Sequence, residues 1–362
     1  MLKACVFSIA FALICSAQAQ ETPENNQFDA AWAAYRVAVQ SKDTDAMVRT
    51  ASRALAIAEQ DPVTDEHRLA ILTLNYGKAL LTAGEIDRAQ EVLTQSISRY
   101  EQAHGADSPE LIAAIVELAD AHASPGGGGK HAGYYKRAIK LSAAHNGEQS
   151  IRHANLLLRA GQNLRDGPRS VAGRKYLTDA IGIYSSQLGS DSVQVAEASY
   201  FLGKIAFSAR KFRTAETHLV TALAGFDGNN PVGRQRELLT RALLVQTYEY
   251  LGDSVKATEH CLAIGQMDLL GPDQIQKPLF RLAASYPIDM LAKRREGFVD
   301  VGFIVDEAGF VRKPVILKNS GGPSFSTSAL NAVKRFRYAP KFVDGNPVST
   351  EHVRTRISFK LN

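Results

Sequence analysis

The amino-acid sequence predicts a mainly α-helical protein, with a helical solenoid at 20–267 followed by a small α+β domain at 286–362. Between Gln27 and about Met267, apolar and small residues recur with a period of 42, which indicates stacked helical repeats. After residue 286, apolar residues alternate with polar ones, which is the pattern of half-buried strands. A chain of 362 residues, 45% of them hydrophobic and 22% charged, has room for two or three soluble domains.

The N-terminus has the features of a secretory signal peptide at 1–19. Lys3 precedes an apolar stretch at 4–16, and the small-x-small pattern Ala17-Gln18-Ala19 is a cleavage signal. We therefore expect cleavage before Gln20 and export to the periplasm. The alternative is an uncleaved inner-membrane anchor that leaves the protein facing the periplasm, although the apolar run is shorter than the roughly 20 residues that span a bilayer.

The helical region contains three series of positions at the 42-residue period. One is apolar and consists of Leu55, Ile97, Ile139, Ile181 and Leu223. A second contains glycines that can end a helix: Gly105, Gly147 and Gly189. A third is small, which allows a neighbouring helix to approach closely: Gly77, Ala119, Gly161 and Gly203. These series predict six helix pairs, at about 27–59, 66–104, 108–145, 149–188, 191–226 and 233–267.

The motifs of one unit are similar to tetratricopeptide repeats. They read Gly84-Glu85-Ile86-Asp87-Arg88-Ala89, then Ser96-Ile97 and His104-Gly105. The spacing of 42 resembles the longer repeat of kinesin light chains. The resemblance implies a concave groove that binds a protein or peptide. Candidate groove residues, each of which has a structural or solvated role as the alternative, are Asn75, Lys78, Asn155, Tyr200 and Lys204.

The last unit departs from the repeat pattern. Position 265, where the period requires Leu or Ile, is Gly265. Terminal repeats are often atypical because they cap the stack. A linker at 268–285 follows, marked by Gly271-Pro272 and Lys277-Pro278. We expect helical propensity to return briefly at 279–285.

The end of the chain predicts two strands, a helix and a closing strand. Val299, Val301, Phe303 and Val305 alternate along the first strand, and Val311, Val315 and Leu317 continue the alternation on the return strand after the turn at 306–309. Helical spacing predicts a helix at about 326–337. In the closing strand, apolar residues alternate with basic ones, so that one face is inward and the other faces solvent. This region has 13 Lys and Arg against 7 Asp and Glu, a net charge of +6, which favours acidic partners or an anionic surface.

The sequence of this end region resembles the C-terminal domain of the TonB family of energy transducers. The matching motifs are Tyr286-Pro287, the residues at 296–303 and 306–309, Phe336-Arg337-Tyr338-Ala339-Pro340, and Asp344-Gly345. The resemblance implies contact with TonB-dependent outer-membrane receptors, whose extended segment adds beside the last strand at about 352–361. The partner-binding residues that this implies are Tyr286, Pro287, Val353, Arg354, Arg356, Ile357 and Phe359. For Tyr286, Phe336 and Tyr338, packing within the domain is the alternative.

No motif points to catalysis. His-Glu-x-x-His, Cys-x-x-Cys and Gly-x-Ser-x-Gly are absent from the sequence, so we expect no enzyme, no cofactor and no metal site. Removal of the signal peptide leaves Cys261 as the single cysteine, which we expect to be a buried small group. An exported protein is not expected to bind nucleic acid.

Two functions follow as expectations. The first is TonB-type binding of outer-membrane receptors in support of transport, with inner-membrane motor proteins as further partners if the N-terminus stays anchored. The second is a non-energised periplasmic scaffold, in which the repeats recruit an envelope protein and the end domain docks.

Overall fold

A computed structural model describes residues 23–165, 169–226, 228–267 and 277–361, and side chains from residue 27 onwards. The predicted signal peptide and residues 268–276 of the predicted linker lie outside these described residues. Within them, no helix combines the length and apolar character needed to cross a membrane. The chain forms two compact units, one up to Leu141 and one from Ser142.

Helices follow one another in pairs through the repeat region, at the six places that the period predicts. The bounds are α1 (Pro23–Ser41) and α2 (Thr44–Gln60), α3 (Glu66–Thr82) and α4 (Ile86–His104), α5 (Leu111–Ala123) and α6 (His131–Asn146), α7 (Ile151–Asn163) and α8 (Ser170–Leu188), α9 (Val193–Ser208) and α10 (Phe212–Ala224), and α11 (Pro231–Leu251) and α12 (Ser254–Gln266). The predicted mainly α fold class, a solenoid-like repeat followed by a small α+β domain, is confirmed.

Local chemistry sets where these helices begin and end. Asp65 and Ser150 accept hydrogen bonds from backbone N–H groups of the first turns of α3 and α7, which satisfies donors that have no partner inside the helix. Gly105 and Gly189 end α4 and α8 with φ of 84° and 95°, a conformation that glycine adopts without steric cost. The prediction that these periodic glycines end helices is confirmed.

The small positions of the period are points of close helix contact, as the sequence predicted. A Cβ atom on each glycine would lie 2.5–2.7 Å from a side-chain carbon of the leucine sixteen residues later, closer than carbon atoms can pack. The three pairs are Gly77 with Leu93, Gly161 with Leu177, and Gly203 with Leu219. Each glycine therefore lets the second helix of a pair insert its leucine against the first.

The end domain is built on a three-stranded antiparallel sheet with the order β3-β2-β7. The predicted β-β-α-β order corresponds to β2, β3, α14 and β7. The elements are β1 (Pro278–Phe280), α13 (Ile288–Ala292), β2 (Gly297–Val305), β3 (Val311–Ser320), α14 (Pro323–Val333), β4 (Arg337–Tyr338), β5 (Lys341–Val343), β6 (Asn346–Val348) and β7 (Thr350–Phe359). The short elements β1, α13, β4, β5 and β6 were not predicted.

One face of the sheet forms the core of the end domain. Val299, Val301, Phe303 and Val305 are at most 4% exposed, so the predicted inward face of β2 is confirmed. They pack with α14, whose Phe325 is fully buried. Burial of these apolar side chains stabilises the domain, and the chain contains no disulfide among its described residues.

The predicted inward face of β3 is wrong in part. Val311 is buried, but Val315 and Leu317 are 54% and 49% exposed. The register of β3 against β2 shifts twice, and Lys313 has a φ of 46°. Such an irregularity turns the side chains that follow to the opposite face, so Ile316 packs against the core instead.

Two further local predictions are corrected. The helix expected at 326–337 is α14, which begins at Pro323, because proline fits the first helical turn, and ends at Val333. The helical propensity expected at 279–285 is not realised, because residues 278–280 form β1, which pairs with β4. The boundaries of the linker and of the end domain stay predictions.

Candidate partner-binding edge of the end domain

The strand β7 lies at an edge of the main sheet. It pairs with β2 through Val299↔Ile357, Gly302↔Arg354 and neighbouring pairs. Among the described strands, none pairs with its outer side. An edge strand exposes backbone N–H and C=O groups that an extended peptide can pair with. The predicted location of the binding segment at 352–361 therefore coincides with a geometrically suitable edge.

The other edge is less suitable for strand addition. On β3, Pro314 lacks a backbone donor and Lys313 has positive φ, next to one of the two register shifts against β2. Both features disturb the regular ladder that an added strand would need. β7 has one positive-φ residue, His352, near its beginning, and pairs regularly with β2 from Val353 onwards.

Side chains on β7 alternate as the sequence predicted. Ile357 and Phe359 are 7% and 3% exposed and belong to the domain core, while Val353 packs against that core from a partly buried position. Arg354 and Arg356 are exposed. The two inward residues therefore hold the strand on the sheet, and only its backbone and outward side chains are accessible to a partner.

Arg356 is held by contacts with residues of the neighbouring strand β2. Its Nε and Nη2 donate to the two carboxylate oxygens of Asp300, at 2.7 and 2.8 Å, and its guanidinium lies 4.1 Å from the centroid of the Phe298 ring. Lys318 lies over the same ring. The hydrogen bond from Arg356 lowers the pKa of Asp300, which stays ionised. Asp300 and Phe298 therefore fix the position of a candidate site residue, and no pattern in the sequence predicted this role for them.

Arg354 differs from Arg356 because its neighbour across the sheet is Gly302, which has no side chain. Within the part of the chain that the structure describes, Arg354 has no ion-pair partner. Its charge is therefore available to a carboxylate on a partner. Both arginines were predicted to contact a partner, and in the structure their surroundings differ.

Tyr286 and Pro287 lie beside the end of β7 without belonging to the sheet. The Tyr286 ring packs edge-on against Phe325 and Phe359, with centroids 5.6 and 5.8 Å apart, and its hydroxyl donates to the Arg295 carbonyl. Pro287 precedes α13 and lines a groove of about 620 Å³ between this segment and α14. Tyr286 therefore has a packing role, and its contact with Phe359 also connects this segment to β7.

The candidate groove residues of the repeats fall into two groups. Asn155 accepts a hydrogen bond of 2.7 Å from the buried Tyr184 hydroxyl, and Tyr200 is only 5% exposed. These two residues have structural roles. Lys78 is exposed, while Asn75 and Lys204 are partly buried.

Two observations on the described residues concern metal binding and thiol reactivity. Within them, no group of three or more His, Cys, Asp or Glu side chains is placed to hold a metal ion. Cys261 is fully buried, as expected, and burial raises the pKa of its thiol to about 12. A thiol with that pKa is not a nucleophile near neutral pH.

The end region matches a known family. Residues 283–361 match the family described as Gram-negative bacterial TonB protein C-terminal. The resemblance identified from the sequence is thereby confirmed, and the chain carries a TonB-type C-terminal domain preceded by tetratricopeptide-like repeats. Neither of these families is catalytic.

Solved structures resemble the repeat region. The crystal structure of BtubC (BKLC) from P. vanneervenii has a TM-score of 0.51 and 19% identity, over 74% of this chain and 99% of that chain. A crystal structure of nearly identical TPR-like repeats of a putative kinesin light chain from Podosopora anserina has a TM-score of 0.48 and 14% identity, over 56% and 95% of the two chains. The first likeness supports the repeat fold and nothing further. No curated protein sequence matches the chain.

Proposed function

We propose that this protein is a periplasmic member of the TonB family that binds outer-membrane receptors. An extended segment of the receptor would add as a strand beside β7. One observation carries the proposal: β7 is an open edge strand in a domain of this family. Pairing with the backbone of β7 provides affinity, and the flanking side chains provide selectivity. The role would be to support TonB-dependent transport.

The charged side chains of β7 indicate which residues a bound receptor segment should contain. Arg354 lies on this edge strand and has no carboxylate partner among the described residues, whereas Arg356 is paired with Asp300. An acidic residue opposite Arg354 would therefore pair with an available cation. We expect receptor segments that bind here to carry Asp or Glu at that position and to be extended.

The repeats supply a second binding surface. Tetratricopeptide-like repeats bind proteins or peptides, and twelve of the described helices of this chain belong to the repeat region. We propose that they recruit a protein partner of the cell envelope. Inner-membrane motor proteins belong among the partners only if the N-terminal segment is retained as an anchor.

A non-energised scaffold is the second candidate. The observation that favours it is a buried contact of the end domain with the last helix pair, in which Arg337 of β4 contacts Glu249 of α11 at 2.6 Å and Thr258 of α12 at 2.7 Å. A domain fixed in this way does not move freely to meet its receptor. In this case the repeats and the end domain would hold two envelope proteins together without transmitting energy.

Photo-crosslinking in living cells tests the proposal. A photoreactive amino acid is placed at 354, since Arg356 is held by Asp300, and the matched control is position 315 on the other edge, where Val315 is 54% exposed. Capture of the periplasmic segment of an outer-membrane receptor from 354 and not from 315 supports receptor binding. Capture of a different envelope protein, or equal capture from both positions, refutes strand addition at β7.

A charge reversal tests the acidic partner. Arg354→Glu should weaken binding of the captured segment, made as a labelled peptide, by about two- to fivefold, which is the range of exposed ion pairs. Lys313→Glu, an exposed change of the same charge on β3 at the opposite edge of the sheet, is the control and should leave the affinity unchanged. Equal effects of both variants would show that only the net charge of the domain matters.

A further inference from the structure

The sixth helix pair departs from the repeat at two positions of its second helix. The apolar series Leu55, Ile97, Ile139, Ile181 and Leu223 reaches Gly265 in α12. The residues that pack against the small positions, Leu93, Tyr135, Leu177 and Leu219, are followed by Cys261 at the same period. The small position of this pair holds Val245, so the small Cys261 has a large counterpart within the repeat, whereas Gly265 does not.

The end domain lies against both of these positions. A Cβ atom on Gly265 would be 2.5 Å from the Pro340 carbonyl oxygen and 2.7 Å from a ring carbon of Phe342. Near Cys261, a Cβ atom on Gly309 would be 3.6 Å from the Cys261 Cβ. A leucine at 265 would therefore overlap the end domain, and Gly265 makes room for it, while Cys261 lies in ordinary contact with the domain.

A buried charge pair joins the two parts. Arg337 of β4 is 1% exposed, and its guanidinium contacts Glu249 of α11 at 2.6 Å and Thr258 of α12 at 2.7 Å. It also donates to the Ala308 carbonyl at 3.1 Å and lies 3.6 Å from the centroid of the Phe310 ring. While the end domain is docked, Arg337 provides the cation for Glu249, whose side chain is 9% exposed.

Apolar packing and strand pairing extend the same contact. Phe280 of β1 and Ala339 share one buried cluster with Ile264 and other residues of the last helix pairs. The Phe280 ring packs edge-on against Tyr250 of α11, with centroids 5.3 Å apart. Since β1 also pairs with β4, the segment before the end domain is held from both sides.

We infer that the sixth helix pair is a docking site dedicated to the chain's own end domain. Gly265 in place of a large apolar side chain is an adaptation to this contact, and the end domain is carried as a fixed extension of the last repeat. Two consequences follow: β7 is presented at a constant position relative to α11 and α12, and the docked surface of this pair is closed to peptide partners. The inference does not depend on what β7 binds.

Cys261 provides a probe of the docked state, because it is fully buried beside Arg337 and the end domain. In the full chain with Cys5→Ser and Cys15→Ser, it is the only thiol. Gly265→Leu restores the repeat pattern and should displace the end domain, which would raise the rate of Cys261 labelling by a maleimide at least about tenfold. Gly182→Leu, in an exposed helical position with nothing within 4 Å, is the matched control and should leave the rate unchanged.

A second variant distinguishes undocking of the end domain from misfolding of α12. Arg337→Met leaves every residue of the repeats intact and should also accelerate labelling, while far-UV circular dichroism shows the helical signal of the parent. Labelling as slow as that of the control in both variants would overturn the inference. Loss of the helical signal in both would overturn it too, because the end domain would then be required for the repeats to fold rather than docked on them.

Discussion

Replacement of Arg337 by Met tests the energetics of the buried junction most directly. Met fills a similar volume without charge, so in the docked chain Glu249, whose side chain is 9% exposed, loses its cation. Breaking a buried ion pair on one side costs about 3–5 kcal/mol. That is a large part of the 5–15 kcal/mol that stabilises typical domains.

Urea denaturation followed by far-UV circular dichroism measures the free energy of unfolding. The double variant Arg337→Met/Glu249→Leu removes both charges, and we expect it to recover most of the loss, because apolar residues can replace a buried pair at little cost. Arg356→Met is the control. It breaks the ion pair with Asp300, in which the Arg356 side chain is 57% exposed, and should cost no more than about 1 kcal/mol. If Arg337→Met costs no more than this control, the junction contributes little and our reasoning is wrong.

Two further predictions concern the repeats. Gly203→Ala should destabilise the protein by about 1–3 kcal/mol in thermal or urea melts, because its Cβ would overlap Leu219, whereas Gly182→Ala should be neutral or stabilising. Burial, with the nearby Arg241, lowers the pKa of His260 from 6.5 to about 4. The unfolded chain therefore binds this proton first, so stability should fall as pH drops from about 6.5 towards 4, and His260→Gln should reduce that slope. A slope unchanged by the substitution would contradict the assignment.

The repeat region was predictable because its packing is local. Each helix pair contacts its neighbours at the same positions, so the geometry of one contact appears in the sequence as a period. Gly203 and Leu219 illustrate this, since their close approach depends only on residues within one pair. Helix ends at Gly105 and Gly189 were predictable for the same reason, because positive φ is a property of the single residue.

The candidate site was predicted only in part. Alternation along β7 identified which side chains face inward, and the family resemblance indicated the edge. The different roles of Arg354 and Arg356 were not predictable, because they depend on whether Gly302 or Asp300 lies opposite on β2. That register is set by strand pairing across more than fifty residues of chain, and no local pattern contains it.

The sequence by itself determined the helical repeat, the β-β-α-β order of the main elements and the resemblance of the end domain to the TonB family. These features were readable because periodicity and short motifs are local properties of the sequence. Contacts between segments far apart in the chain depended on the three-dimensional fold. Gly265 looked like an atypical terminal residue, and Arg337 looked like one basic residue among many. The structure shows that Gly265 lies against Pro340 and that Arg337 pairs with Glu249, 88 residues earlier. These roles could not be predicted, because burial and charge pairing depend on proximity in space rather than along the chain.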